Sequence, residues 1–513
     1  MIYLIQHYLA ETALRFPDKT AVSCRDESVS YRELDLSTNA LARALVRLGA
    51  DRGAFIPIFM AKSVNAISAI LAVLKSDCAY VPVDTGSPAE RLSKLLEATR
   101  APFVLVDNES EAAFDELMQP AQRGIRVVNI DNPVFESREP LVCRNISIDV
   151  AYVLFTSGST GMPKGVMISH QMVIDYIDWC VETYALTERD VIANHAPLYF
   201  DNSTFDLYTA FKSGAELHLV YDELNVLMHK LVGWLESRKI TTFFCVPSVL
   251  TILLRSRRVV PGCFPDLRHV IAAGEVLPPE VLRGWMSALP HVQYANMYGP
   301  TEITVDCTFH VVTDLPLADE SSIPIGRPRP NMEVFLRAED GSLSIEPGSD
   351  GEIAVRGKSV SYGYLNNAEK TRAAFIQNPH HDLYHDPVYL TGDLARIDAH
   401  GRFLYVGRKD RQIKFMGNRI ELGEVEVALM RVEGVTEGVV VFNDAPSIAD
   451  KCIAALVVLE EGVTTLEVAK RLREALPAYM VPRQIVASEK MPRTPNGKSD
   501  RLSAFDMIFP AKS

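Results

Sequence analysis

The sequence has no apolar run long enough to cross a bilayer. The longest candidate, Ala54 to Ala61, has the length of a strand and is broken by Pro57. It has no basic start followed by an apolar stretch, so Met1 to Phe16 does not read as a targeting signal. It has no C-x-x-C pair: Cys24, Cys78, Cys143, Cys180, Cys245, Cys263, Cys307 and Cys452 are scattered. That spacing excludes a zinc ribbon and a disulfide framework and fits a reducing cytoplasm. There is no basic excess, since 52 Lys and Arg against 65 Asp and Glu leave a net charge of −13. A surface for nucleic acid as main partner is therefore excluded, and no membrane partner is expected. Internal repeats and low-complexity segments are missing as well.

The 513 residues are 48% hydrophobic and 23% charged, an ordinary globular composition. At roughly 150 residues per domain the length predicts about three units. Through the first 300 residues, helix-like and strand-like segments alternate, which predicts βαβ units and a largely parallel sheet. Ser30 and Glu33 have capping-box spacing, and Leu34, Leu41, Leu45 and Leu48 follow on one helical face. A second helix is predicted near Ala66 to Lys75. From about Phe309 to Val406 short strands alternate with Gly, Pro and Asp turns, which predicts antiparallel sheet or a small barrel. After Gly407 the pattern predicts a small α+β domain of about 100 residues. The boundaries read 1–408 for the large part, with the barrel-like piece at about 309–408, and 409–513 for the small one.

Ile148 to Phe155 reads as a buried strand. Behind it stands TSGSTGMPKG, with Thr156, Ser157, Ser159 and Thr160, glycines at Gly158, Gly161 and Gly165, and Lys164 near the end. Glycines let backbone N–H groups approach an anion closely, and the hydroxyls and the ammonium add donors. The pattern suits a polyphosphate, although no G-x-x-x-x-G-K-S/T spacing can be laid on it. A Ser/Gly linker is the plain alternative; the preceding strand and the Pro163–Lys164 finish favour the phosphate reading.

TSGSTGMPKGV resembles the signature loop of the adenylate-forming superfamily: acyl-CoA synthetases, luciferases and adenylation domains of nonribosomal peptide synthesis. Further motifs resemble that family in order along the whole chain. They are AYVPVD from Ala79, NMYGPTE from Asn296, GEIAVRG from Gly351, YLTGDL from Tyr389, GRKDRQIKFMGNRIELGEVE from Gly407, and TPNGK ending at Lys498. The fold implied is a large domain of packed αβαβα-type sheets plus a small β-barrel, followed by a small mobile α+β domain.

The resemblance implies attack of a substrate carboxylate on the α-phosphate of ATP, with pyrophosphate leaving. Both reactants are anions, so catalysis rests on positioning and charge neutralisation. ATP and Mg2+ are the implied cofactors. By resemblance, the loop with Thr156, Ser157, Gly158, Ser159, Thr160, Gly161 and Lys164 holds the β- and γ-phosphates, Thr301 contacts the α-phosphate and Glu302 holds the metal. Tyr298 stacks on adenine, with Gly274, Glu275, Asn296 and Met297 around the base. Asp393 accepts from both ribose hydroxyls, and Arg408 reaches the ribose. Lys498 bridges the substrate carboxylate and the phosphate. Asp410 is the hinge about which the small domain rotates, presenting Lys498 in one half-reaction and the loop around Gly417 in the other.

PLYFDNSTFDLYTAF, from Pro197, resembles the motif of amino-acid adenylation domains, in which the Asp matching Asp201 pairs with the substrate ammonium. The implied specificity positions are Asp201, Asn202, Phe205, Cys245, Ile271, Ala273, Met297, Val305 and Asp306, with Lys498. Phe205, Ile271, Met297 and Val305 would wall an apolar cavity, and Asp306 would bind a hydroxyl or second amine, as in serine, threonine or a short diamino acid. No carrier-like segment follows Lys498, so the expected acceptor is a phosphopantetheine thiol on a separate carrier protein. GEVLP and LPAYMVPR also resemble D-alanine–carrier-protein ligases, although Ala273 stands where those carry cysteine. An acyl-CoA synthetase and a non-catalytic paralogue are further alternatives. Retention of Lys164, Glu302, Asp393 and Lys498 argues against the last.

Overall fold

The computed structural model describes residues 2–118, 124–131, 137–158, 163–317, 322–445, 447–494 and 499–510. Two sheets form the large part. One has nine strands in the order Arg327–Pro328, Thr308–Val312, Gln293–Tyr298, His269–Ala272, Thr242–Cys245, Val191–Asn194, Glu216–Leu219, Thr20–Cys24 and Glu27–Ser30. The other has six: Arg126–Asn129, Phe103–Val106, Phe55–Ile58, Ala79–Pro82, Val150–Thr156 and Lys164–Ser169. Both are parallel except at their edges, where the pairs Thr20–Cys24/Glu27–Ser30 and Val150–Thr156/Lys164–Ser169 run antiparallel, as do Gln293–Tyr298, Thr308–Val312 and Arg327–Pro328 at the other edge of the nine-stranded sheet. The helices Tyr31–Arg47, Val64–Lys75, His170–Thr183 and Asn202–Ser213 share one apolar cluster with residues of both sheets. Burial on two faces explains why these strands read as continuous apolar runs.

Local signals act as expected. Ser30 Oγ accepts the Glu33 amide at 3.2 Å and starts the helix Tyr31–Arg47. Leu34, Leu41 and Leu45 are buried on it, whereas Leu48 has passed the last turn and is 38% exposed. The helix Val64–Lys75 is buried along most of its length. Its terminal Lys75 ammonium is compensated by Asp35 Oδ1 at 2.7 Å.

The antiparallel unit starts later than the texture change at Phe309. Thr308–Val312 and Arg327–Pro328 extend the nine-stranded sheet, because Thr308 to Val312 pair in register with Tyr298 to Tyr294. The separate sheet comprises Leu343–Ser344, Met332–Arg337, Asp350–Gly357, Pro387–Ile397 and Phe375–Gln377, with Phe403–Arg408 also paired to Pro387–Ile397. It has its own core around Val334, Ile353, Tyr389 and Phe403.

Beyond it, the hairpin Gln412–Phe415/Asn418–Glu421 leads into the helix Leu422–Met430. Then come the strands Val435–Asn443, Cys452–Leu459 and Gln484–Ala487, and the helices Thr465–Ala475 and Arg501–Ile508. The small unit's two apolar clusters draw only on residues from Ile413 onward. Thr464 and Glu467 form a capping box at the start of Thr465–Ala475. All eight cysteines are unpaired. Among the described residues no helix is long and apolar enough to cross a membrane.

Candidate active site

The suspected phosphate loop joins two antiparallel strands in which Thr156 and Lys164 are register partners. Ser159, Thr160 and Gly161 lie outside the described residues. Thr156 Oγ1 is buried without a hydrogen-bond partner among the described residues and lines a cavity of about 340 Å³. A buried polar atom left unsatisfied in a cleft points to a ligand. Ser157 Oγ donates to the Arg419 carbonyl at 2.6 Å, and the Gly158 amide donates to Glu424 Oε2 at 3.1 Å. Lys164 sits 3.7 Å from Glu421 and over the Tyr364 ring. Burial and the nearby Arg419 both lower its ammonium pKa. A Cβ at Gly165 would come within 2.8 Å of Val153 Cγ1, so that position needs glycine.

Thr301 and Glu302 lie in a single turn, Thr301–Ile303, reached through Gly299 and Pro300. A Cβ at Gly299 would meet the Val305 carbonyl at 2.3 Å. Thr304 and Val305 follow with φ of 58° and 72°, in the left-handed region that such residues rarely adopt. The turn drives Glu302 inward until it is fully buried. Burial opposes its charge, but Arg419 and Lys164 more than compensate and hold its pKa down to about 2. Arg419 Nη1 donates to Glu302 Oε2 at 2.7 Å and Tyr364 Oη to Oε1 at 2.8 Å.

Asp393 is equally buried. Its carboxylate accepts from Tyr298 Oη at 2.7 Å and Arg408 Nη1 at 3.0 Å, with Lys414 Nζ 3.8 Å away. Burial disfavours the charged form, yet Lys414 and Arg408 hold the pKa below the ordinary carboxylate range. Gly274, Glu275, Asn296, Met297, Tyr298 and Arg408 line a cavity of about 510 Å³. Thr156, Ser157, Gly274, Thr301, Asp393 and Arg408 line a neighbouring one of about 340 Å³. The residues expected around the base and most of those expected around ribose and phosphate thus fall into two cavities that both include Gly274 and Arg408, whereas Lys164 lines a separate pocket with Tyr364 and Arg419, and Gly158 and Glu302 line neither of the two.

Asp201 ends the loop that leaves the strand Val191–Asn194 and begins the helix Asn202–Ser213. It faces the 340 Å³ cavity together with Asn202, Cys245, Ala273 and Asp306. Phe205, Ile271 and Val305 do not line this cavity but pack in the core behind it, and Met297 lines the other one. Phe205 stacks edge-on against Phe244 at 5.1 Å and Tyr184 at 6.1 Å. The apolar wall is supplied instead by Ala196, Pro197, Phe200 and Val246. His195 lines the cavity too, and burial lowers its pKa to about 3, so the ring is neutral.

Burial pushes the Asp201 carboxyl up to about 6, against a hydrogen bond from Thr301. Asp306 accepts from Tyr176 Oη at 3.0 Å. Burial, with the nearby Asp201 charge, pushes it up to about 8.

Besides the unexpected large-domain wall of Ala196, Pro197, Phe200 and Val246, the small domain contributes residues to the site. Lys414, Met416, Gly417, Asn418 and Arg419 all line the 340 Å³ cavity. Glu424 Oε1 accepts from Arg91 of the large domain at 2.9 Å. The small-domain residues stand inside the motif that begins at Gly407, in which only Arg408, Asp410 and Gly417 carried an expected role. The hairpin alternation in QIKF and NRIE was the available signal. Asp410 lies between the strand Phe403–Arg408 and this hairpin, accepting from Arg408 at 2.6 Å and 2.7 Å and from the Gln412 amide at 3.0 Å. Lys498 lies outside the described residues.

The AMP-binding enzyme family model matches residues 9–365, and that of the AMP-binding enzyme C-terminal domain matches residues 424–498. A protein named L-proline–L-prolyl-carrier protein ligase, from Streptomyces coelicolor, is 35% identical over 92% of this chain and 91% of its own length. Tyrocidine synthase 3 of Brevibacillus parabrevis is 34% identical over 97% of this chain and 7% of its own length. The chain spans less than half the length of the multidomain synthases it matches first, 44% at most. A solved NRPS protein containing adenylation and PCP domains, bound to a vinylsulfonamide inhibitor, superposes with a TM-score of 0.83. It is 26% identical, over 98% of this chain and 84% of that one.

Proposed function

The chain belongs to the AMP-binding enzyme family, and on that footing we propose that it adenylates an amino acid with ATP and passes the aminoacyl group to the phosphopantetheine thiol of a separate carrier protein. The observation that carries this reading is one cavity. Asp201 faces it beside Thr156, Thr301, Asp393 and Arg408. A buried carboxylate in a largely apolar wall calls for a cation, and the ammonium of an amino acid supplies one.

In this reading Asp201 holds the ammonium and so fixes the substrate carboxylate. Thr301 and the Thr156–Lys164 loop hold the triphosphate so that its α-phosphorus faces that carboxylate. A carboxylate oxygen bonds to the α-phosphorus and pyrophosphate leaves. Glu302 with the ATP phosphates would hold Mg2+, which is usually bound by one or two carboxylates plus substrate phosphates and would supply neutralisation of the growing charge. Asp393 and Arg408 hold the ribose. Lys498 bridges carboxylate and phosphate. In the second half-reaction the thiol attacks the aminoacyl carbonyl, AMP leaves, and the small domain's hairpin closes the cavity against water. The hinge is at Asp410, with the large domain ending near Arg408.

The substrate side chain is short and polar: serine, threonine or a short diamino acid. Asp306 supports this, because a protonated carboxyl lining the cavity can donate to or accept from a hydroxyl, and an amine can ionise it. The L-proline named for the Streptomyces relative is not taken over, since an apolar ring would offer nothing to the Asp306 carboxyl, whose contact within the protein is Tyr176 Oη.

The test is an ATP–pyrophosphate exchange screen over proteinogenic, D- and non-proteinogenic amino acids. Exchange stimulated by a small polar amino acid, and lost in Lys498→Ala while ATP still binds, is expected. Exchange with no amino acid at all, alongside thioester formation from a fatty acid and coenzyme A, overturns the reading.

A further inference from the structure

We propose that Arg419 and the metal ion are alternative partners of Glu302, so that the hairpin Gln412–Glu421 docks into the cavity only when Mg2+ has left it. The inference rests on the adenylation reading above for the identity of the metal, but its physical basis is local.

Glu302 is fully buried and ion-paired. A carboxylate in that position needs a cation in every conformation the protein adopts. Here the cation is Arg419, 2.7 Å from Oε2, and the remaining oxygen is taken by Tyr364 Oη at 2.8 Å. Both oxygens are therefore engaged. The donor set nevertheless fits Mg2+, which needs few protein ligands when phosphates supply the rest. No group of three or more His, Cys, Asp or Glu that could form an all-protein cage occurs among the described residues. The guanidinium thus stands on the carboxylate that would be the metal's protein ligand.

Arg419 belongs to the small domain and Glu302 to the large one, so the charge can be exchanged only by moving one body against the other. The same hairpin carries a second cation. Lys414 is the cross-strand partner of Arg419, and it lies 3.8 Å from Asp393, the carboxylate read as the ribose acceptor. One register pair thus brings a cation to each of two buried acids. Without a metal, Glu302 would keep only the more distant Lys164 ammonium of its own domain as counter-charge. Docking of Arg419 supplies a closer one and commits the small domain to the transfer arrangement. Release of the first product and the domain rotation become one coupled equilibrium.

A pair of fluorophores on exposed Asp18 and Glu461 reads the separation of the two domains without turnover. The protein is titrated with MgCl2 in the presence of a non-cleavable ATP analogue, no amino acid being added. In the wild type the label distance is expected to change with Mg2+ and to stay at its metal-free value when the analogue is added with EDTA. In Arg419→Gln, which keeps most of the side-chain volume, the Mg2+ midpoint is expected to fall on the order of tenfold, the scale of one hydrogen bond to a charged group. Arg419→Lys, which restores a cation, is expected to move back toward the wild type. An unchanged midpoint in Arg419→Gln overturns the proposal. So does calorimetry showing Mg2+ bound at saturation with the metal-free label distance. A chain that exchanges pyrophosphate with no amino acid loses the functional reading, whereas the relation between metal and label distance is measured independently of it.

Discussion

Glu275 Oε1 accepts the Gly417 amide at 2.9 Å, tying the large domain to the small domain's hairpin, while Oε2 accepts the Ser248 amide at 2.9 Å. Gly417 has φ of 77°, and a Cβ there would come within 3.3 Å of Val246 Cγ1. The contact thus depends on glycine as well as on the carboxylate. Glu275→Ala removes an acceptor shared by both bodies in this arrangement. Transfer to the carrier is expected to fall about tenfold, the scale of a hydrogen bond to a charged group, and pyrophosphate exchange by less. Single-turnover transfer measured beside exchange checks this; equal losses would remove the latch role.

Asp201 is the only acid proposed to meet the substrate ammonium. Asp201→Asn leaves that ammonium without a counter-charge, a loss of about 3–5 kcal/mol for one partner of a buried pair. The kcat/KM for the amino acid is then expected to fall at least about a hundredfold, with ATP binding little changed. Comparable losses for both substrates would move Asp201 out of the ammonium role.

Asp306 makes stability depend on pH. Its folded pKa of about 8 lies above the value of an exposed aspartate, so the folded state keeps a proton that the unfolded chain releases. The stabilisation is complete below about pH 4, declines as pH rises through the window between about 4 and 8, and is gone above it. Asp306→Asn removes the ionisation. Its melting temperature is expected to exceed the wild type's by about 2 °C above pH 8, with the difference vanishing near pH 4. Thermal melts across that range decide it, and a constant offset at every pH would rule out ionisation as the cause.

Asp410 stands where the chain passes from one body to the other. Asp410→Pro locks φ and restricts the residue before it. Transfer to the carrier is expected to suffer more than pyrophosphate exchange, and equal losses in both assays would argue against a hinge at this position.

The hydroxyl- and glycine-rich loop, the parallel strands and the capped helices were legible because they are local. Ser30 and Gly165 act through neighbours in sequence or across one hairpin. The cavity wall was less legible. Phe205, Ile271 and Val305 have the residue types of a pocket lining, yet helix rotation and sheet packing turn them into the core, and the apolar wall comes from the loop 196–200 and Val246.

The amino-acid order by itself supplied the hydroxyl- and glycine-rich loop after Phe155, the acids Glu302 and Asp393 and the late Lys498, in a motif order shared with one family. Only the tertiary structure decided which charge faces which. Glu302 and Arg419 are 117 positions apart and meet on two separate bodies. No periodicity records such a pairing, because it is set by how two independently cored units dock and by the rule that a buried carboxylate must find a cation within reach.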